Sequence, residues 1–332
     1  MSSSRSDRSA SPAAPSIASG QPPSAGLTRR QALGCLFWAG TGALWAMHGG
    51  VPRWLGAIGD ANAAEAKTDA GAFRFVQISD SHIGFNKAAN PDPLLTLNLA
   101  LDKVRALSER PALMLHTGDV THLSKPAEFD TAAQLIGGLG LPTFYVPGEH
   151  DVIDEGAGRA WLDRYGKGTQ GAGWYSFDDH GVHFVGLVNV LDFKPGGLGR
   201  LGAVQLAWLA DDLKAVGDST PVVVFAHIPL WTVYADWGWG TDDAAQALAL
   251  LARFGSVTVL NGHIHQTLQK VEGNVSFHTA YSTAYPQPAP GTAATPGPLV
   301  VPAEQLRHVL GVRSLQLTRA APGAQLTDYP LA

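Results

Sequence analysis

Phe73-Arg74-Phe75-Val76-Gln77-Ile78-Ser79 alternates apolar and polar residues and then delivers Asp80-Ser81-His82. A period of two over that length is the pattern of a half-buried strand, with an acid and an imidazole at its carboxyl end. The arrangement returns four times. Ala112 to Thr117 is an apolar run before Gly118-Asp119, and Pro142 to Val146 precedes Gly148-Glu149-His150-Asp151. Val222 to Ala226 precedes His227, and Ser256 to Leu260 precedes Gly262-His263-Ile264-His265. Five strands thus each end on a polar residue, at the end of an α/β sheet where ligands bind. Gly118, Gly148 and Gly262 let backbone come close to whatever sits there.

Taken singly, each segment has a bland reading: a surface turn after Asp80, a hydrogen-bonded strand end at His227. Five in one chain order make a coincidence improbable. Carboxylates and imidazoles without thiolate suit Mn, Fe or Zn, and two such ions side by side can clamp the attacking and leaving oxygens of a phosphoryl displacement. His116 and His122 flank Asp119 and are candidates for orienting a ligand from behind. His48, His180, His183, His278 and His308 fall outside the pattern and read as structural.

The order D-x-H, G-D, G-x-H-D, H, G-H-x-H, from Phe73 to about Thr283, resembles the calcineurin-like metallophosphoesterases, a superfamily that includes purple acid phosphatases and class III cyclic nucleotide phosphodiesterases. The resemblance implies an α/β fold of four layers, an αββα sandwich of two mixed sheets flanked by helices; periodicity alone gives only α/β. It implies one metal held by Asp80, His82 and His265, a bridge through Asp119, and a second metal held by Glu149, His227 and His263. A water or hydroxide shared by the metals would be the nucleophile. His150 would stabilise the transition state or protonate the leaving oxygen. Asp151 either orients His150 or caps the turn that carries it.

Where the family presents Asn in that third segment, this chain has Glu149, longer and negatively charged at neutral pH. A third carboxylate favours a harder or more highly charged pair of divalent or mixed-valence ions, Fe or Mn over Zn. The same substitution is the one argument for an alternative, a metal-loaded binding or sensing protein with little turnover. An envelope interaction protein docking a partner through its aromatic loop is a third reading.

Residues 1 to 27 are rich in Ser, Ala and Pro, the composition of a disordered extension. Arg29-Arg30 then introduces an apolar stretch to about Met47, which resembles a bacterial twin-arginine export signal, and Ala61-Asn62-Ala63 offers a small-x-small cleavage site. The expected domains are 1–63, extension and export signal, and 64–332, the catalytic domain, delivered by the twin-arginine export machinery to the periplasm. An uncleaved, membrane-anchoring signal is the alternative. The single cysteine, Cys35, falls within the signal, so no disulfide is expected in the rest. Of 23 basic and 28 acidic residues, five Arg and two Asp precede residue 64, leaving 18 against 26, a net charge of -8. An acidic body without basic runs argues against a nucleic acid polymer and for a small phosphoester substrate.

Apolar residues at helical spacing predict helices over 94–107, 129–136, 204–216 and 244–254, and Trp174 to Val188 reads as a β-hairpin. Leu230 to Trp239 is dense in aromatics. Trp231, Tyr234, Trp237 and Trp239 either overhang the metals and stack a nucleobase or cover the core. Tyr281 to Pro302, crowded with Pro, Ala, Gly and Thr, reads as a long loop and a candidate lid.

Overall fold

The computed structural model describes residues 43–48, 51–57 and 72–332, except 192, 195, 319 and 320. The chain divides into two units, Met1–Asp60 and Ala61–Ala332. In the first, β1 (Ala43–His48) pairs antiparallel with β2 (Val51–Ala57). The twin arginines, Cys35 and the expected cleavage site lie outside the described residues. Among the described residues no helix is long and apolar enough to cross a membrane.

The second unit is built on two mixed sheets. Five strands run in the order β13 (Ala321–Pro330), β12 (Gly311–Thr318), β3 (Phe73–Ile78), β4 (Leu113–His116), β5 (Thr143–Tyr145). Six run in the order β10 (Gln269–Glu272), β11 (Val275–Thr279), β9 (Val257–Asn261), β8 (Val222–Phe225), β7 (Val182–Gly186), β6 (Tyr175–Asp179). The strands that lead to the predicted ligands are parallel within each sheet, β3 with β4 and β5, β8 with β9, so their carboxyl ends fall on one edge.

Alternation along these strands makes the layers. Phe73, Phe75, Leu113 and Leu115 of one sheet share a buried cluster with Phe184, Val223, Phe225 and Leu260 of the other. Their neighbours face outward. Val76, Ile78 and Met114 pack beneath α1 (Pro93–Arg105) and α2 (Pro126–Gly137) through Leu97, Leu101, Val104 and Ile136. Val222, Val224, Val257 and Val259 pack beneath α4 (Ala203–Leu213) and α5 (Ala244–Leu251), which follow the short α3 (Arg159–Tyr165). Helix, sheet, sheet, helix is the sandwich expected, and the four predicted helices and the hairpin are all found. Asp92 starts α1 by accepting from the Leu95 amide at 3.0 Å, with Pro93 in the first turn, where a missing N–H costs nothing.

The β6–β7 hairpin carries one ion network away from the sheet edge. His183 Nδ1 lies 2.8 Å from Asp178 Oδ1, and its Nε2 lies 3.0 Å from Asp212 Oδ2. Burial opposes charge on the ring, but the two carboxylates outweigh it and hold His183 above its ordinary value. A folded-state value raised above the unfolded one gives stability that is complete below the unfolded value and fades as pH rises through the folded one. His183→Gln is therefore expected to cost ~1–2 kcal/mol at about pH 5.5, on the scale of hydrogen bonds to a charged group, and less at about pH 9. Urea midpoints at the two pH values measure this, and an equal loss at both would show that charge contributes nothing.

Candidate metal centre

Each predicted ligand emerges just past a strand. Asp80 and His82 follow β3, Asp119 follows β4, Glu149 follows β5, His227 follows β8, and His263 and His265 follow β9. The loops are tied by backbone. The Asp80 amide donates to Gly118 O at 3.0 Å, His82 to Asp119 O at 2.9 Å, and Gly262 to His227 O at 3.0 Å. Asp80, His82, Asp119, His263 and His265 all have positive φ, between 41° and 69°. Left-handed backbone at a non-glycine residue is uncommon and costs of order 1–3 kcal/mol, and it persists at functional sites because surrounding structure enforces it. Gly148 and Gly262 have no such φ and are needed for space: a Cβ on Gly148 would collide with Asp119, and one on Gly262 with Ser79 and Asp80.

The side chains converge in two groups. Asp80 Oδ1 lies 3.2 Å from His265 Nε2, which lies 3.2 Å from His82 Nε2. Glu149 Oε2 lies 2.9 Å from His227 Nε2 and its Oε1 lies 3.0 Å from His263 Nδ1. Asp119 Oδ2 stands between the groups, 3.4 Å from His82 Nε2 and 3.4 Å from His227 Nε2. Only Glu149 of these seven is appreciably open to solvent, its side chain 16% exposed.

Several of these atoms have no hydrogen-bond partner although buried: Glu149 Oε2, His227 Nε2 and both ring nitrogens of His263. Unpartnered buried polar atoms are rare and call for an explanation. Oxygen and nitrogen donors within ligand-to-ligand distance of one another fit two cations. The far sides of the rings are held as metal ligands require. His227 Nδ1 donates to Thr117 O at 2.7 Å and His265 Nδ1 to Tyr285 O at 2.6 Å, which turns each Nε2 inward toward the carboxylates.

The local field is divided. Burial resists ionisation of Glu149, but His263 and His227 hold its carboxyl well below the usual range, and Asp80 is lowered likewise by His265 and His227. His227 is held well above its ordinary value, burial being outweighed by Asp119 and Glu149. His82 is instead kept well below by burial and by the neighbouring His150, His265 and His122 rings, which favours the neutral form.

His122 is a residue the sequence placed beside Asp119 and the structure places behind two rings. Its Nδ1 is 3.4 Å from His82 Nδ1, its ring stacks on His150 at 4.8 Å, and its carbonyl accepts from His150 Nδ1 at 2.8 Å. Burial pushes it down to about 4. His116 serves differently, meeting Ser81 Oγ at 2.9 Å beneath the strand ends.

Asp151 does not orient His150. Its carboxylate accepts from the amides of Val120, Thr121 and Gly148 and from Thr121 Oγ1, all within 3.0 Å. It closes the turn and ties the Asp119 loop to the Glu149 loop, the capping alternative, because His150 Nδ1 is already committed to His122 O. For the aromatic segment the structure favours the core-covering alternative at Trp237 and Trp239, while Trp231 and Tyr234 are half-buried. Trp237 and Trp239 are buried around Ile264, and Trp231 packs on Phe277 at 5.3 Å. Trp237 and Trp239 thus pack on the Gly262 to His265 turn and Trp231 covers the core at Phe277. The 281–302 stretch has no helix or strand, as expected. Its first part is fastened: Ser282 Oγ donates to Asp80 O at 2.8 Å, and the Thr283 amide to Ser79 O at 3.0 Å. Tyr285, which no sequence pattern singled out, has its hydroxyl 3.2 Å from His82 Nε2.

The sequence profile of the calcineurin-like phosphoesterases matches residues 73–267, more than half the chain and the whole ligand series. The chain belongs to the calcineurin-like phosphoesterase family. Its members are metal-dependent hydrolases of phosphoric esters. A 3',5'-cyclic-nucleotide phosphodiesterase of Nostoc sp. is 27% identical over 220 residues, 63% of this chain and 77% of that protein. A glycerophosphodiester phosphodiesterase of Enterobacter lignolyticus is 28% identical over 211 residues, 60% of this chain and 70% of that protein. Among solved structures, a dimetal phosphatase from Danio rerio superposes with a TM-score of 0.54 at 15% identity, over 77% of this chain and 99% of that one, a likeness of fold alone.

Gly148→Ala isolates the contribution of close packing. The added methyl must displace Asp119, and a misplacement near 1 Å at a reacting centre costs on the order of 100-fold in rate. The variant is expected to keep its circular dichroism, lose at least one bound ion per chain, and lose that much hydrolysis. Full metal content with unaltered rate would contradict this.

Proposed function

We propose that this chain is an exported binuclear-metal phosphohydrolase that cleaves a small phosphoester, with a diester favoured. The observation that carries the metal part is Asp119 Oδ2, equidistant at 3.4 Å from one imidazole of each group, so that it would serve both. Asp80, His82, His265 and Asp119 would hold one ion, and Asp119, Glu149, His227 and His263 the other. Bound there, such a pair supplies Lewis-acid polarisation of a phosphoryl oxygen and a lowered pKa for water. The carboxylate of Glu149 in place of an amide supports Fe or Mn over Zn.

The chain's own part is positioning and proton transfer. His150 is fixed by its Nδ1 bond to His122 O and by the His122 stack, which leaves Nε2 to face a substrate and to give a proton to the departing oxygen. Asp119 and Glu149 hold His150 above its ordinary value against burial, and a cation taken up beside it works in the opposite direction. The acidic body supports a small substrate, and the two relatives named as diesterases support the diester. Burial of Trp237 and Trp239 weakens the stacking argument for a nucleobase, so a nucleotide rests chiefly on the cyclic-nucleotide relative.

Purified protein offered p-nitrophenyl phosphate and bis-p-nitrophenyl phosphate is expected to cleave the diester faster, to lose activity on chelation, and to contain iron or manganese. Asp119→Asn should reduce the rate by roughly 100-fold or more, on the scale of losing a preorganised charge. Two ions per chain without cleavage of either ester would favour the binding or sensing protein that Glu149 also suggests. A fully active zinc-only sample would remove the metal preference.

Export rests on Arg29-Arg30 before an apolar stretch, with Ala61-Asn62-Ala63 after it. N-terminal sequencing of protein recovered from the periplasm is expected to begin near Ala64. An intact Met1 there would support the anchored alternative, and recovery only from the cytoplasm would end the proposal of export.

A further inference from the structure

Gln77 occupies a position that packing alone would give to an apolar residue. Along β3 the residues that face the other sheet are Phe73, Phe75 and then Gln77, and both phenylalanines lie in the buried cluster between the sheets. Gln77 is fully buried, and its Oε1 has no hydrogen-bond partner. An unpaired buried amide oxygen costs free energy that a leucine there would not. The contribution of the residue lies in its Nε2.

Gln77 Nε2 donates to Thr117 Oγ1 at 3.1 Å and to the Asn261 carbonyl at 3.2 Å. Thr117 follows β4 in the five-stranded sheet, and Asn261 ends β9 in the six-stranded one. The Asn261 carbonyl can only accept, which fixes the orientation of the Gln77 amide. Both partners hold His227. The Thr117 carbonyl accepts from His227 Nδ1 at 2.7 Å, and Asn261 Nδ2 donates to the carbonyls on either side of that histidine, Ala226 O at 2.9 Å and Ile228 O at 3.1 Å. Among the described residues Gln77 is the one side chain bonded to both Thr117 and Asn261. His227 thus emerges from one sheet while its ring is steered by a carbonyl of the other, and its angle depends on how the two are set at this level. Apolar contact between the sheets has no direction, whereas the Gln77 bonds fix distance and angle.

We propose that Gln77 is a positioning residue of the metal centre: by tying Thr117 to Asn261 across the two sheets, it sets the angle at which His227 Nε2 meets the ion of the Glu149, His227 and His263 group. The inference rests on the two-metal reading of the site and adds to it a residue that touches neither ion. Its effect is selective. The rings of the other group take their outer bonds elsewhere, His265 Nδ1 on Tyr285 O and His82 Nδ1 toward His122 Nδ1, and neither bonds to Gln77, Thr117 or Asn261. Loss of the link therefore loosens one ion and spares its neighbour.

Gln77→Leu tests this. The atoms it leaves keep other partners, Asn261 O the Ala280 amide at 2.9 Å and Thr117 Oγ1 the Ser79 hydroxyl at 2.7 Å, so the metal-free variant is expected to unfold at the urea concentration of the metal-free wild type or above it. Full-length wild type, Gln77→Leu and His227→Ala are stripped by chelation and titrated with cobalt(II) against a competing chelator, with visible absorption as the readout. His227→Ala identifies the binding step that belongs to its group. Gln77→Leu is expected to weaken that step by about tenfold or more, the scale for groups that orient a metal ligand, and to leave the other step within about twofold. Thr117→Val removes the same link from its other end and keeps the carbonyl that holds His227. It is expected to weaken the same step, with no further loss when the two changes are combined. If Gln77→Leu does not fold, Thr117→Val decides by the same two steps. Unchanged steps, or equal weakening of both, overturn the proposal and leave the two-metal reading standing. A wild type with no step that His227→Ala removes overturns that reading and the proposal with it.

Discussion

Three carboxylates and four imidazoles share a pocket from which water is almost excluded, and they can lie that close only because their charges are mutually compensated and their backbones are held in strained conformations. Asp80, His82, Asp119, His263 and His265 have left-handed backbone, and together they store several kcal/mol by the usual cost per residue. No loop could keep that conformation alone. The compensation comes from the sheet edges, where parallel strands run out side by side and their first loop residues continue the ladder through Asp80 to Gly118, His82 to Asp119 and Gly262 to His227.

Asp151 extends the same logic across loops. A fully buried carboxylate accepting three amides and a hydroxyl fixes the Asp119 loop against the Glu149 loop. Burial and the charge of Asp119 push its acid up to about 7, and the amide donors offset this only in part. Its hydrogen-bonding capacity is spent on three backbone amides and the Thr121 hydroxyl. Trp237 and Trp239 pack on Ile264, the one residue between His263 and His265, and brace that turn.

The convergence of the seven candidate donors was legible because strand ends announce themselves: an apolar run, then in most cases a glycine, then a polar residue that no core would accept. Helices α1, α2, α4 and α5 were legible from their buried stripes. What the sequence hid was of two kinds. β10 is exposed along its whole length, and β13 mixes Gln, Thr and Asp with apolar residues, so neither carries a clear period; they pair because β11 and β12 offer open edges. Tyr285 and the true bonds of Asp151 depend on contacts between segments far apart in the chain, 203 residues in the case of Tyr285 and His82. Composition reads the 281–302 segment as loop, and no local pattern says that one of its aromatics is inserted beneath the ligands. The aromatic run at 231–239 was ambiguous for the same reason, since burial of a Trp is decided by what lies over it.

Without cations the pocket balances itself with protons. His227 is held toward its charged form by Asp119 and Glu149, while Glu149 and Asp80 are held toward theirs by the imidazoles. A cation entering beside Glu149 needs the lone pair of His227 Nε2 and must therefore release the proton that the two carboxylates favour. Metal uptake and proton release are coupled by that exchange, and affinity for the ion falls as the medium becomes more acidic. A neutral amide at position 149 would attract less positive charge to His227 and would also hold the ion less strongly. Glu149 would thus raise both the attraction for a cation and the proton competition against it, and the gain from an added anion grows with the charge of the ion while the proton's does not.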